Sequence, residues 1–188
     1  MGKGLSHVIG FDDAPFAREH RGDVTVIGAV FCGIRLEGVL AGQVRRDGAN
    51  ATQVLSAMVQ GSRFYGHLQC VLLQGIALAG FNVVDCLALH RALAVPVMVV
   101  VRKRPDMDAV REALLGRVPG GHRKWRLIEA LGPMQPLAGL YVQRVGLSTA
   151  EAEDLIRRLA VHSRLPEPLR TAHLIATGIA GGQSRQRA

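Results

Sequence analysis

The chain has 188 residues, 48% hydrophobic and only 4% aromatic, which suits one α/β domain with a core of Val, Leu, Ile and Ala. Its 23 Lys and Arg against 15 Asp and Glu leave a net charge of +8, favouring an anionic partner such as nucleic acid over a merely solvated basic surface. Cys32, Cys70 and Cys86 are odd in number, lie in apolar stretches and have no paired spacing, which excludes a disulfide framework or zinc site and points to buried thiols of a cytoplasmic protein.

Lys3 leads into no apolar region, so no signal peptide is expected. The runs HVIGF, VTVIGAVF (Val24 to Phe31) and LEGVLAGQV (Leu36 to Val44) read as three strands on short links, an antiparallel meander. Arg46-Asp47-Gly48 breaks the pattern. NATQVLSAMVQGSRF then has helical spacing, with Asn50 as its N-cap and Gly61 as its stop. From Phe64 to Val84 there is no Asp, Glu, Lys or Arg, a length close to that needed to span a bilayer, about 20 residues. His67, Gln69, Gln74 and Asn82, with Gly75 and Gly80, argue instead for the buried strand CVLL, a glycine-rich turn and a helix start. FNVVDCLALHRAL reads as a helix capped by Asn82, with Asp85 on its polar face. VPVMVVV is a central strand covered on both faces. RPDMDAVREALLG is a helix with Asp106 and Asp108 at its start, where they suit the dipole. Residues 117–136 yield only a short helix around Trp125 to Ala130. LYVQRV is a further strand. STAEAEDLIRRLAVH carries a capping box, Ser148 and Glu151. PEPLRTAHLIATGIA is a last helix. Residues 1–182 are expected to form the one domain, and 183–188 a basic tail without fixed structure.

An antiparallel half joined to a parallel βαβ half gives a mixed sheet with helices on both faces, the layout of the ribonuclease H-like fold. Metal-assisted phosphodiester cleavage needs oxygen ligands converging from several elements, so the acids at strand ends are the first candidates. Asp12 and Asp13 end strand one, and alternation along a strand allows only one of them to face a site. Asp47 follows strand three, where Asp-Gly is also a common turn. Gln74 ends CVLL and is a neutral oxygen ligand at best. His173, in the last helix, is a fourth candidate. Arg102, Lys103 and Arg104 follow a parallel strand at the end where α/β sheets bind ligands. With Arg46 and Arg170 they are the candidate phosphate contacts. Phe16, Tyr65 and Trp125 are the aromatics to consider as base contacts.

IGFDDAPF, QGIALAGFNVVD, VPVMVVVRKRPD and LPEPLRTAHLIA, in that order, resemble the endonuclease dU family, relatives of endonuclease V, over roughly Val8 to Gly182. The resemblance implies an endonuclease V-like domain with Mg2+ (or Mn2+) as cofactor, cutting DNA, or RNA, near a deaminated base such as deoxyuridine. Carried over by position, it makes Asp12, Asp47 and His173 catalytic. Asp12, Asp47 and Gln74 become metal ligands, with Asp13 beside them as a further candidate ligand, and Lys103 a nucleic-acid contact. Two departures stand out: Gln74 replaces an aspartate, and Asp47 is one carbon shorter than the family's glutamate. Losing a carboxylate lowers the charge that attracts a metal, and Asp13, absent from endonuclease V's pattern, restores part of it. The leading expectation is thus a metal-dependent endonuclease of DNA repair. The alternatives are a non-catalytic nucleic-acid-binding module on the same fold and a protein-interaction scaffold.

Overall fold

The computed structural model describes residues 4–184; Lys3 and the last four residues of the expected tail lie outside the described residues. β1 (His7–Asp13), β2 (Asp23–Cys32) and β3 (Arg35–Arg45) form the expected antiparallel meander. α1 (Ala51–Gln60) leads through a 3-10 turn (Tyr65–His67) into β4 (Cys70–Gln74), which pairs parallel to β1. A two-stranded flap, β5 (Ala77–Leu78) and β6 (Asn82–Val83), precedes α2 (Cys86–Leu93) and β7 (Val97–Val101), which is parallel to β4. α3 (Met107–Arg117) and α4 (Gly121–Ala130) make a helical arm. β8 (Gln135–Leu137) and β9 (Leu140–Val145) complete a seven-stranded sheet of order β3-β2-β1-β4-β7-β9-β8, and α5 (Thr149–Leu159) and α6 (Glu167–Gly181) follow.

The apolar runs of β1, β4 and β7 bury both of their faces, as their composition demands. Ile9, Phe11, Val71, Leu73, Val97 and Val99 pack under α1 and α2 through Leu55, Val59, Leu89 and Leu93. The alternate residues Val8, Cys70, Leu72, Met98 and Val100 pack under α5 and α6 through Leu155, Ile156, Leu159 and Leu169. Burial pushes the thiols of Cys70 and Cys86 up to about 12, which makes them inert, while Cys32 is only partly buried. Ser148 and Glu151 form the expected capping box on α5. Among the described residues, no helix is long and apolar enough to cross a membrane.

The expected helix over FNVVDCLALHRAL begins only at Cys86, because Asn82 and Val83 pair with Leu78 and Ala77 as an extended flap. Asp85 is the N-cap, its side chain accepting from the Ala88 N–H at 2.8 Å, rather than a polar-face residue. Asn82 serves α1 instead: its Oδ1 accepts from Ala51 N at 3.0 Å. Asn50 holds the N-cap position of α1 without a side-chain capping bond; its side-chain Oδ1 accepts instead from Arg45 N and from the Asn82 side-chain amide. The helix foreseen around Trp125 spans Gly121–Ala130, and β8 was not foreseen, being three residues long with a proline at its centre.

Candidate active site

The parallel strands β1 and β4 end together. Their register sets Phe11 beside Leu73, so the next step of the ladder sets Asp12 beside Gln74. Both side chains point to the α6 face. Asp12 is 6% exposed, and its Oδ2 lies 2.8 Å from Nδ1 of His173 on α6. Gly10 permits that contact. A Cβ there would fall 2.4 Å from the carbonyl carbon of Pro168, so only glycine lets α6 rest against β1. Small residues do the same over β2, where Ala172 and Ala176 meet Ile27, Ala29 and Phe31. Burial raises the Asp12 carboxyl above its ordinary range, and the hydrogen bond and charge of His173 oppose the rise. Gln74 Oε1 is buried and has no hydrogen-bond partner. A buried acceptor without a donor is costly, and this one lies next to a carboxylate.

Asp13 points the other way, as strand alternation requires. Its Oδ2 accepts from Ala79 N at 3.0 Å. Burial first, and the neighbouring Asp12 charge second, raise its carboxyl to about 6. Asp47 reaches the same segment from β3. Its N–H donates to Ala79 O at 2.9 Å, and its Oδ1 accepts from Phe81 N at 2.9 Å. Asp47 sits in the left-handed region at φ 51, uncommon for a residue with a side chain. It is held there from outside as well: Arg46 Nε approaches its Oδ2 at 3.3 Å, and Lys124 Nζ donates to its carbonyl oxygen at 2.5 Å. Lys124 is 2% exposed. Burial lowers its pKa, and attraction to Asp47 opposes this. The sequence reading missed Lys124. The signal was there, since Gly121, Lys124 and Ile128 repeat at helical spacing and form the buried stripe of α4.

The structure thus brings Asp12, Gln74 and His173 together on one side of the strand ends, and Asp13 and Asp47 around Ala79–Phe81 on the other. Among the described residues, no group of three or more His, Cys, Asp and Glu side chains is arranged to hold a metal ion. Of the expected phosphate contacts, Arg102, Lys103 and Arg104 are exposed just past β7, at the same end of the sheet. Arg46 is committed elsewhere: it donates to the carbonyls of Arg18 and His20 and covers the Phe16 ring at 5.4 Å. Arg170 pairs at 3.1 Å with the buried Glu167, which also accepts from His162 N at 3.1 Å. Phe16 packs beneath Arg46 against the core, and Trp125 packs in the arm under Arg111. Tyr65 precedes β4 and so lies at the opposite end of the sheet from Gln74. A surface cavity of about 650 Å³ between α5 and the loop that follows it is lined by none of the candidate carboxylates.

The family model described as Endonuclease dU matches residues 5–180. The chain belongs to that family. A UPF0215 protein of Deinococcus radiodurans is 61% identical over 180 residues, covering 96% of this chain and 92% of the relative. A crystal structure of a protein of unknown function from Archaeoglobus fulgidus superposes with a TM-score of 0.87 at 34% identity, over 94% of this chain and 99% of that one. Ciona intestinalis endonuclease V, crystallised with a 24mer DNA containing an inosine followed by a ribo-adenosine, superposes with a TM-score of 0.55 at 13% identity, over 89% of this chain and 83% of that one. The mixed sheet and its helices are therefore the expected endonuclease V-like arrangement.

Proposed function

We propose that the protein is a metal-dependent endonuclease that cuts a phosphodiester bond in nucleic acid carrying a deaminated base, with Mg2+ or Mn2+ as cofactor. The observation that carries this reading is the buried Asp12–His173 pair beside the partnerless Gln74 Oε1, at the end of two central parallel strands. Oxygen donors of this kind suit a hard cation that keeps part of its water shell. Asp12 and Gln74 would hold it, and Asp13 and Asp47 would join by exchanging their backbone N–H partners for it. A bound divalent ion activates water and neutralises charge on the leaving oxygen. Asp12, when ionised, accepts from Nδ1–H of His173 and so fixes the orientation of the ring. Held in this way, His173 would position the attacking water or the metal. Arg102, Lys103 and Arg104 hold flanking phosphates. Membership of the Endonuclease dU family, and a fold shared with a protein crystallised on inosine-containing DNA, support the substrate class.

The test is incubation with labelled single- and double-stranded oligonucleotides containing uracil, hypoxanthine or only normal bases, with Mg2+, Mn2+ or chelator. Cutting is expected only with metal and a deaminated base, and is expected to vanish in Asp12→Ala. Cutting by Asp12→Ala at the wild-type rate would remove Asp12 from the mechanism. A second reading, a non-catalytic nucleic-acid-binding module, is favoured by the neutral Gln74 and by the separation of Asp12 from Asp13 and Asp47. It predicts salt-sensitive binding with no metal-dependent cutting in the same assay.

A further inference from the structure

The α3–α4 arm carries charge that the carboxylate site does not use. Its two helices hold five Lys and Arg (Arg111, Arg117, Arg123, Lys124 and Arg126) against three acids (Asp108, Glu112 and Glu129). The buried stripe of α4 is Gly121, Lys124 and Ile128, which leaves His122, Arg123 and Arg126 exposed. Arg123 and Arg126 are three apart and so are neighbours on the helix surface. Among the described residues neither enters an ion pair, whereas Arg35, Arg45, Arg157 and Arg158 are each neutralised by a nearby acid. The arm also touches the site. Lys124 binds the Asp47 carbonyl, and Leu114 and Ile128 pack with Val83 and Phe81 of the flap that Asp13 and Asp47 grip.

Resting on the nuclease reading, we propose that the exposed face of α4 holds the backbone of the nucleic-acid strand outside the reacting phosphodiester, with Arg123 and Arg126 each neutralising one phosphate. Two guanidinium groups one helical turn apart, on a helix whose inner face is held against the site, can each meet a backbone phosphate. Their contact is to backbone and so is blind to sequence. It sets where the strand lies relative to Asp12, and base selection falls to other residues.

The experiment is fluorescence anisotropy with a labelled, undamaged single-stranded oligonucleotide in chelator, from 50 to 300 mM salt. It compares wild type, Arg123→Gln/Arg126→Gln, Arg123→Lys/Arg126→Lys, and Arg91→Gln. Arg91, an exposed arginine in the last turn of α2, is the control for loss of charge alone. The double Gln variant is expected to reduce the slope of log K against log salt by about 1.4, at about 0.7 per phosphate on a single strand. The Lys pair should keep the wild-type slope, and Arg91→Gln should change nothing. A double Gln variant with wild-type slope and affinity, or an equal loss in Arg91→Gln, overturns the surface while leaving the nuclease reading intact. Failure of the wild type to bind at any salt also overturns the surface, and the cutting assay with metal and a deaminated base then decides the nuclease reading separately.

Discussion

Asp13 holds a carboxylate where burial and the adjacent Asp12 both oppose ionisation, and its cost can be measured without any substrate. Its pKa rises from 3.8 to about 6, roughly two units, and each unit corresponds to about 1.4 kcal/mol. The folded chain therefore holds the Asp13 proton more tightly than the unfolded chain does. Stability falls as pH rises through the window from about 4 to about 6, and the loss is complete above it. Asp13→Asn keeps the shape and an oxygen for the Ala79 N–H, but never ionises. It should stabilise the metal-free protein by about 1 kcal/mol at pH 4.5 and by about 3 kcal/mol at pH 7.5, from the two-state linkage relation. Urea unfolding in chelator at the two pH values measures both numbers. An Asn variant no more stable at pH 7.5 than at pH 4.5, relative to wild type, would refute the argument that burial strains this carboxylate. The same linkage predicts that a divalent cation engaging Asp13 binds more tightly at pH 7.5 than at pH 5, because it competes with that proton.

Gly10→Ala should cost about 3 kcal/mol, at the upper end for overpacking, because its Cβ meets the backbone of Pro168 and Leu169; a urea midpoint shift checks it. In Gly80→Ala the new Cβ would lie 2.4 Å from Asp47 Oδ1, on a backbone at φ +83. The expected loss is about 1–2 kcal/mol, read by thermal melting. Gln74→Asp adds a charge beside Asp12 and should raise Mg2+ affinity at least tenfold, about 1.4 kcal/mol, by calorimetric titration; unchanged affinity would place Gln74 outside the metal site. Ser148→Ala removes the α5 cap and should cost about 1 kcal/mol without altering any binding measurement.

Local chemistry made most of the elements legible. The β-branched and leucine runs of β1, β2, β4 and β7 bury both faces and could be little else. The capping box of α5 is closed by residues three apart, so it is complete in the sequence. Where a short polar residue could serve two elements, the local reading went astray. Asn82 looks like a helix cap, and it is one, but for α1, which begins 31 residues earlier. The flap of Ala77–Val83, two strands of two residues each, is too short to announce itself by periodicity, yet it holds both Asp13 and Asp47.

The sequence by itself determined the long strands, most of the helices, the basic balance and the placing of acids at strand ends, because each follows from composition or from spacing within about four residues. Only the tertiary structure decided which acids meet. Asp12 and His173 are 161 residues apart and touch because Gly10 lets α6 lie against β1. Asp47 and Lys124 are 77 apart and meet because α4 turns its one buried cation toward the end of β3. Adjacent Asp12 and Asp13 are parted by the pleat of a strand, which sends neighbouring side chains to opposite faces of the sheet.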